Sequence, residues 1–154
     1  MKILFLSRAF PPVIGGIENQ NSALSRWLPK FAEVTTIANT RGKTFLPLFL
    51  PYVTIRALFA LHRYDVLLLG DGVLAPVGFL LSLFYPTKIF VAVVHGLDIT
   101  FGTKKGFLSR LYHTINIPAL KNLDQIFTVS EQTKMIAIAA GIDTRNITVI
   151  PNGI

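Results

Sequence analysis

Short runs of hydrophobic residues recur along the chain, and the segments between them are long enough for helices. Each run is rich in Val, Ile, Leu or Phe, which is typical of strands that are buried on both faces. In the first intervening segment, Ile17, Leu24, Leu28 and Phe31 share one helical face. This alternation predicts an α/β fold, an open parallel sheet with helices on both faces and right-handed crossovers. The predicted strands are residues 2–7, 34–38, 65–70, 88–95, 125–129 and 146–150.

Two later helices are predicted from boundary signals. Residues 130–141 begin with Ser130 as an N-cap, carry Glu131 in the first turn and end at Gly141. Residues 103–122 are also predicted to be helical, and Pro118 is expected to kink or end that helix. Two further apolar segments, 45–61 and 73–86, fall short of the roughly 20 uninterrupted apolar residues of a membrane span. We expect both to be buried helices.

The composition excludes several kinds of functional site and favours certain partners. The 154 residues fit one domain, 51% of them are hydrophobic and only 15% are charged. The absence of cysteine excludes disulfides, thiolate metal sites and cysteine nucleophiles. The apolar run at the start is too short for a secretory signal, so we expect a cytoplasmic protein. The net charge of +7 includes two acid-free basic segments, residues 34–64 and 99–123, which favour anionic partners.

In a parallel sheet, the residues that follow each strand collect along one edge, where ligands bind in open α/β folds. Gly15 and Gly16 would leave backbone N–H groups bare at the positive end of a helix, which suits a phosphate. The alternative is a tight turn that needs positive φ. The segment lacks both the G-x-G-x-x-G fingerprint and the P-loop lysine.

Four other residues are expected at the same edge, and each has a structural alternative. His95 ends an apolar run and would donate to a hydroxyl or phosphate oxygen, or bond to backbone. Asp98 would accept from sugar hydroxyls or cap a turn. Asp71 precedes Gly72, an ordinary turn signal. Ser130 is explained by its capping role, and a ligand contact is an additional possibility.

Several function classes lack their sequence signatures. His62, His95 and His113 stand far apart, and no D-x-D or H-x-x-x-H occurs, so no metal site is predicted. The nucleophile motif G-x-S-x-G is missing. The basic segments carry no helix-turn-helix, zinc or RNP signature, so nucleic acid is not an expected partner.

Four segments together resemble the N-terminal half of a retaining GT-B glycosyltransferase of family 4. They are "FPPVIGGIE" after the first strand, "VVHGLD" after the fourth, "NLDQIFTVSE" around the fifth and "VIPNGI" at the end. The resemblance implies a Rossmann-like N-terminal domain over residues 1–150. Residues 151–154 would then begin the linker to a C-terminal, donor-binding domain.

The resemblance also implies roles for single residues. Gly15 and Gly16 would lie by the donor diphosphate, His95 beside the transferred sugar, and Asp98 in the same loop. Sugar or acceptor contacts are expected from Asp98, Asp71 and Ser130. Pro151, Asn152 and Gly153 would form the interdomain hinge. The implied partners are a nucleotide-diphosphate sugar donor and a sugar or lipid-linked acceptor, with no cofactor and no required metal.

The second domain that such an enzyme needs is absent from this sequence, so we expect this chain alone to be inactive. Peripheral contact with an anionic membrane, at its inner face, is expected through residues 45–63 and 103–122. The alternative function is a stand-alone nucleotide- or phosphosugar-binding module without transferase activity.

Overall fold

The computed structural model describes residues 1–96, 99 and 107–151. Within these residues, six strands form one parallel sheet in the order β2-β1-β3-β4-β5-β6. The strands are β1 Lys2–Ser7, β2 Glu33–Ala38, β3 Val66–Leu69, β4 Ile89–Val94, β5 Gln125–Thr128 and β6 Ile147–Val149. The α-helices are α1 Gly16–Trp27, α2 Leu46–Ala60, α3 Ala75–Phe84, α4 Phe107–Lys121 and α5 Glu131–Ala139. Short 3₁₀ turns occupy Leu28–Lys30, Lys43–Phe45, Leu61–Arg63, Gly72–Leu74 and Thr144–Asn146.

The predicted parallel α/β architecture is confirmed, and every predicted strand is present. Most strands are slightly shorter than predicted, because residues such as Gly70 and His95 lie just beyond the last ladder positions. Gly70 N–H still donates to the Leu6 carbonyl oxygen at 2.8 Å, so the backbone remains paired as it leaves β3. The apolar runs predicted the strands well because both faces of the central strands are buried.

The two faces of the sheet are covered unequally. The chain moves in one direction from β1 to β2 and in the other direction through β3 to β6. Because crossovers are right-handed, α1 lies on one face and α2 to α5 lie on the other. The larger core lies under α2 to α5, and the smaller core under α1 is built from Ile3, Phe5, Val66, Leu68, Val91 and Val93.

Beside α1, an apolar groove of about 380 Å³ stays open on the smaller face. It is lined by Trp27 and Phe31 on one side, by Val93 and Phe127 of the sheet on the other, and by Pro151 at one end. This part of the sheet therefore has less cover than the part under α1.

The expectation that residues 45–61 form a buried helix is correct for only one side of α2. Phe49, Val53 and Ala57 pack into the larger core, whereas the opposite side of α2 is exposed. Among the described residues, the continuous helical segment Lys43–Arg63 is long and apolar enough to cross a membrane by length and composition alone. One side of this segment instead packs on the sheet.

Pro118 is predicted to kink or end its helix, and the second alternative is wrong, because α4 continues to Lys121. Ile117, Ala119 and Leu120 are buried in the larger core on either side of the exposed proline. Asn122 Nδ2 donates to the Pro118 carbonyl oxygen at 2.7 Å, which satisfies a group near the helix end. The predicted start of this helix at residue 103 lies outside the described residues.

Candidate active site

The strand order creates a switch point between β1 and β3. Chain connections leave these two neighbouring strands toward opposite faces, and a crevice forms at their carboxyl ends. The loops after β4 and β5 follow in the same row. The sheet thus brings the residues after Ser7, Leu69, Val94 and Thr128 to one edge.

The first loop of this edge delivers Gly15 and Gly16 to the start of α1. Gly15 is extended, with φ 176° and ψ 167°, and Gly16 is the first helical residue. The alternative of a positive-φ turn is therefore wrong. Gly15, as the N-cap residue, has no side chain to bond the first amides of α1, and its carbonyl oxygen accepts from Asn19 N–H at 3.0 Å. The positive end of α1 thus faces the edge.

The Glu18 carboxylate lies beside Gly15. A Cβ added at Gly15 would collide with this carboxylate, whereas a Cβ added at Gly16 would have open space among the described residues outside its own helix backbone. A carboxylate in the first turn is stabilised by the helix dipole. Its negative charge would repel an anionic ligand bound close to Gly15. Diphosphate binding at Gly15 and Gly16 stays a prediction.

A buried polar network fixes α1 against the edge. Asn21, which has no exposed surface, donates from Nδ2 to Ser7 Oγ at 2.9 Å and to the Ala9 carbonyl oxygen at 3.1 Å. Ser7 Oγ itself donates to the Ala9 carbonyl oxygen at 2.8 Å. A Cβ at Gly70 would lie 2.7 Å from Asn21 Oδ1, so this close packing of α1 on the end of β3 requires a glycine there.

Asn39 joins the exit of β2 to the same network. Its Nδ2 group donates to the carbonyl oxygens of Arg8 and Gly42, at 3.1 and 2.8 Å, and its Oδ1 accepts from Arg41 N–H at 3.0 Å. Its own N–H donates to the Ser7 carbonyl oxygen at 2.8 Å. The exits of β1, β2 and β3 are therefore held together by side chains that turn signals alone do not reveal.

Asp71 has a structural role in this edge. Its side chain is fully buried, whereas that of Arg8 is 13% exposed, and Arg8 Nε lies 3.0 Å from Asp71 Oδ1 and 3.0 Å from Oδ2. Oδ1 also accepts from Val73 N–H at 3.0 Å, which caps the turn after β3. Full burial argues against the predicted direct contact between Asp71 and a sugar. The carboxylate instead holds Arg8 at the switch point.

His95 and Ser130 lie at the other end of the edge. The half-buried His95 follows β4, and a Cβ at the next residue, Gly96, would be 3.7 Å from Thr133 Oγ1 and 3.8 Å from Ile136 Cδ1. Ser130 Oγ accepts from Thr133 N–H at 3.1 Å and lies 3.0 Å from Thr133 Oγ1. The loop after β4 thus packs on the first turns of α5, and the predicted capping role of Ser130 is confirmed.

The remaining predicted site residues are Pro151, Asp98, Asn152 and Gly153. Pro151 is exposed beyond β6, and the pairing of Ile150 N–H with the Thr128 carbonyl oxygen at 2.9 Å continues up to it. Asp98, Asn152 and Gly153 lie outside the described residues. Within the described part of the chain, no group of three or more acidic or His side chains is arranged to hold a metal ion.

Comparison with known proteins decides the family. The profile described as Glycosyltransferase Family 4 matches residues 28–154, which is most of the chain. The chain belongs to glycosyltransferase family 4. None of the curated proteins searched matches this family 4 chain.

Solved structures agree on the fold of this family 4 domain. It superposes on the Anabaena protein Alr3699/HepE in complex with UDP, with a TM-score of 0.65 and 20% identity, covering 100% of this chain and 44% of that one. The same protein with UDP and glucose gives a TM-score of 0.68 at 17% identity, covering 100% of this chain and 45% of that one. The apo lipopolysaccharide outer core galactosyltransferase WaaB gives 0.59 at 14% identity, covering 100% of this chain and 46% of that one. The chain therefore spans less than half the length of these structures.

Proposed function

We propose that this family 4 domain is the acceptor-side, N-terminal half of a retaining glycosyltransferase that uses a nucleotide-diphosphate sugar. The observation that carries the proposal is the single edge of the sheet to which β1 delivers the start of α1 and β4 delivers His95. The similarity to a protein solved with UDP and UDP-glucose supports a nucleotide-sugar donor. The similarity to WaaB supports an acceptor in lipopolysaccharide synthesis, and cell-surface polysaccharide and glycolipid synthesis are proposed as related alternatives.

The start of α1 is the proposed contact for the donor diphosphate. Gly16 is exposed, and packing does not require a glycine there, since an added Cβ would have open space. A small residue therefore leaves room for a ligand to approach the first amides of α1. These amides and cationic side chains of the complete enzyme would stabilise the leaving diphosphate, without a required metal or cofactor.

His95 is the proposed contact for the transferred sugar. It follows β4, which is two strand spacings from β1, a separation of about 10 Å between strands. That separation suits a donor whose diphosphate lies at α1 and whose sugar extends along the edge. His95 would donate a hydrogen bond to a sugar hydroxyl and so position the reacting carbon. Asp98 and Ser130 are proposed to contact the sugar or the acceptor.

The rest of the enzyme is proposed to be a second domain, joined through Pro151, Asn152 and Gly153. It would supply the remaining donor contacts, so this half alone would not catalyse transfer. We propose a cytoplasmic location for the whole protein.

The test uses the protein that carries both domains. It is screened by mass spectrometry against a panel of nucleotide sugars, and we expect transfer or slow hydrolysis of one donor. His95→Ala should lower kcat roughly hundredfold, since a hydrogen-bond donor at the reacting centre is lost. The matched control is His113→Ala, because His113 is an exposed residue of α4 away from the edge. Donor binding without turnover in the unaltered protein, or a His95→Ala kcat equal to the control, would contradict the proposal.

A further inference from the structure

The outer side of α2 carries a stripe of exposed hydrophobic side chains. Leu48, Tyr52, Ile55 and Phe59 are 68%, 49%, 56% and 74% exposed, and their spacing of three or four residues places them on one helical face. The opposite face of α2 is also apolar and lies in the core. A helix that is apolar all round is expected to be covered on every side. In the described part of the chain, nothing covers this stripe.

The apolar surface continues onto the neighbouring helix. Tyr85 donates from its hydroxyl group to the Leu58 carbonyl oxygen at 2.6 Å, so the end of α3 lies against the end of α2. Just before this contact, Leu83 and Phe84 are also largely exposed. Exposed apolar side chains therefore also occur on the helix that lies against α2.

The charged residues of the segment that carries the stripe are all basic. Residues 34–64 contain Arg41, Lys43, Arg56 and Arg63 and no acidic residue. The Arg56 guanidinium lies 5.8 Å from the Tyr52 ring centroid, so a cation lies directly beside the apolar stripe. Near the start of α2, Arg41 similarly lies 4.9 Å from the Phe45 ring centroid. Cations next to aromatic and aliphatic side chains are typical of helices that lie in a bilayer interface.

A pocket with polar residues at one side connects the stripe to the active-site edge. This pocket, of about 430 Å³, is lined by Asn39, Thr40 and Arg41 after β2 and by Leu48 and Tyr52 of the stripe. The exit of β2 is held to the exit of β1, as described above. A surface in contact with the stripe is therefore also next to the edge where the sugar would be transferred.

We propose that the outer face of α2 docks on an anionic lipid bilayer. The stripe enters the boundary between headgroups and acyl chains, and the flanking cations contact lipid phosphates. Charge complementarity favours this occupant over a second copy of the chain, because two such faces would bring cations against cations. The docking goes beyond the proposed transferase function and does not depend on it. If both hold, the pocket would admit the headgroup of a lipid-linked acceptor.

The test measures binding of this chain to vesicles by flotation. Vesicles of phosphatidylcholine mixed with phosphatidylglycerol are compared with vesicles of phosphatidylcholine alone, at low and high salt. We expect binding to the anionic vesicles, and Phe59→Ser should weaken it roughly tenfold, since an aromatic side chain no longer leaves water. Arg56→Gln should weaken it roughly fivefold at low salt and little at high salt.

Two matched variants lie away from α2. Phe31→Ser removes a phenylalanine that is 83% exposed beyond α1, and Arg26→Gln removes an exposed arginine of α1. Both should bind anionic vesicles like the unaltered chain. Equal loss in these controls, or no preference for anionic vesicles, would overturn the proposal. A dimer that Phe59→Ser converts to a monomer, without vesicle binding by the unaltered chain, would identify the stripe as a contact between copies and also overturn it. None of these results depends on sugar transfer.

Discussion

Asp71→Asn tests whether the carboxylate at the switch point holds the fold together. The amide oxygen of asparagine still accepts from Val73 N–H, and asparagine caps turns about as well as aspartate. The change therefore removes mainly the charge that pairs with Arg8, whose side chain is 13% exposed. Removing one partner of a buried ion pair costs about 3–5 kcal/mol, because the other charge is left buried without compensation. Since the cap and the volume are kept, we expect a loss of about 3 kcal/mol, or about 10 °C in melting temperature.

The assay is the free energy of unfolding from denaturant titration, supported by thermal melting. The matched control is Asp143→Asn, because Asp143 also accepts from an N–H two residues ahead and pairs with an arginine, Arg145, but at an exposed site. We expect little change in the control. Adding Arg8→Met to Asp71→Asn should recover part of the loss, since no charge then stays buried. Equal stability of Asp71→Asn and Asp143→Asn would refute the reasoning from burial, and a selective loss of transfer activity would then favour a sugar contact for Asp71.

Three further predictions concern the start of α1 and a surface ion pair. In the protein with both domains, Gly16→Ala should change the free energy of unfolding by no more than about 1 kcal/mol and weaken UDP binding measured by calorimetry. UDP binding equal to that of the unaltered protein would contradict the proposed diphosphate contact at the start of α1. Glu18→Gln should strengthen UDP binding a few-fold, since it removes a carboxylate beside Gly15; weaker binding would contradict this role. Hydrogen bonds from Arg145 lower the pKa of Asp143 from its ordinary value of 3.8 to about 2. The pair therefore stabilises the fold above pH 3.8, and this contribution is lost as the pH falls toward 2. An NMR titration in which Arg145→Gln leaves the pKa of Asp143 unchanged would contradict this prediction.

The sheet and the capped helix could be predicted because their causes are local. Strands that are buried on both faces need continuous apolar runs, and these runs located the six strands to within a few residues. Ser130 caps α5 through Thr133 N–H, and Gly141 follows that helix with a φ of +84°. Both residues act within a few positions of themselves. A sequence pattern is sufficient for contacts of this range.

The exposed side of α2 could not be predicted, because a pattern that is apolar in every direction does not show which side meets the core. The polar contacts at the edge could not be predicted for a different reason. Arg8 and Asp71 are separated by 63 positions in sequence, and Asn21 lies among polar residues that resemble an ordinary solvated helix face. The parallel pairing of β1 with β3 brings Arg8 and Asp71 together, and the packing of α1 on the exit of β1 brings Asn21 to Ser7.

The buried contacts also determine how the edge would respond to a donor. Asn21 ties α1 to the exit of β1, Asn39 ties the exit of β2 to it, and the pair formed by Arg8 and Asp71 ties the exit of β3 to it. Because these groups are buried and bonded, moving the backbone would leave polar atoms without partners, which is costly. Glu18, by contrast, is a partly exposed and flexible side chain beside Gly15. A donor bound at α1, as proposed, would thus meet a backbone that buried contacts hold in place, with one adjustable carboxylate beside it.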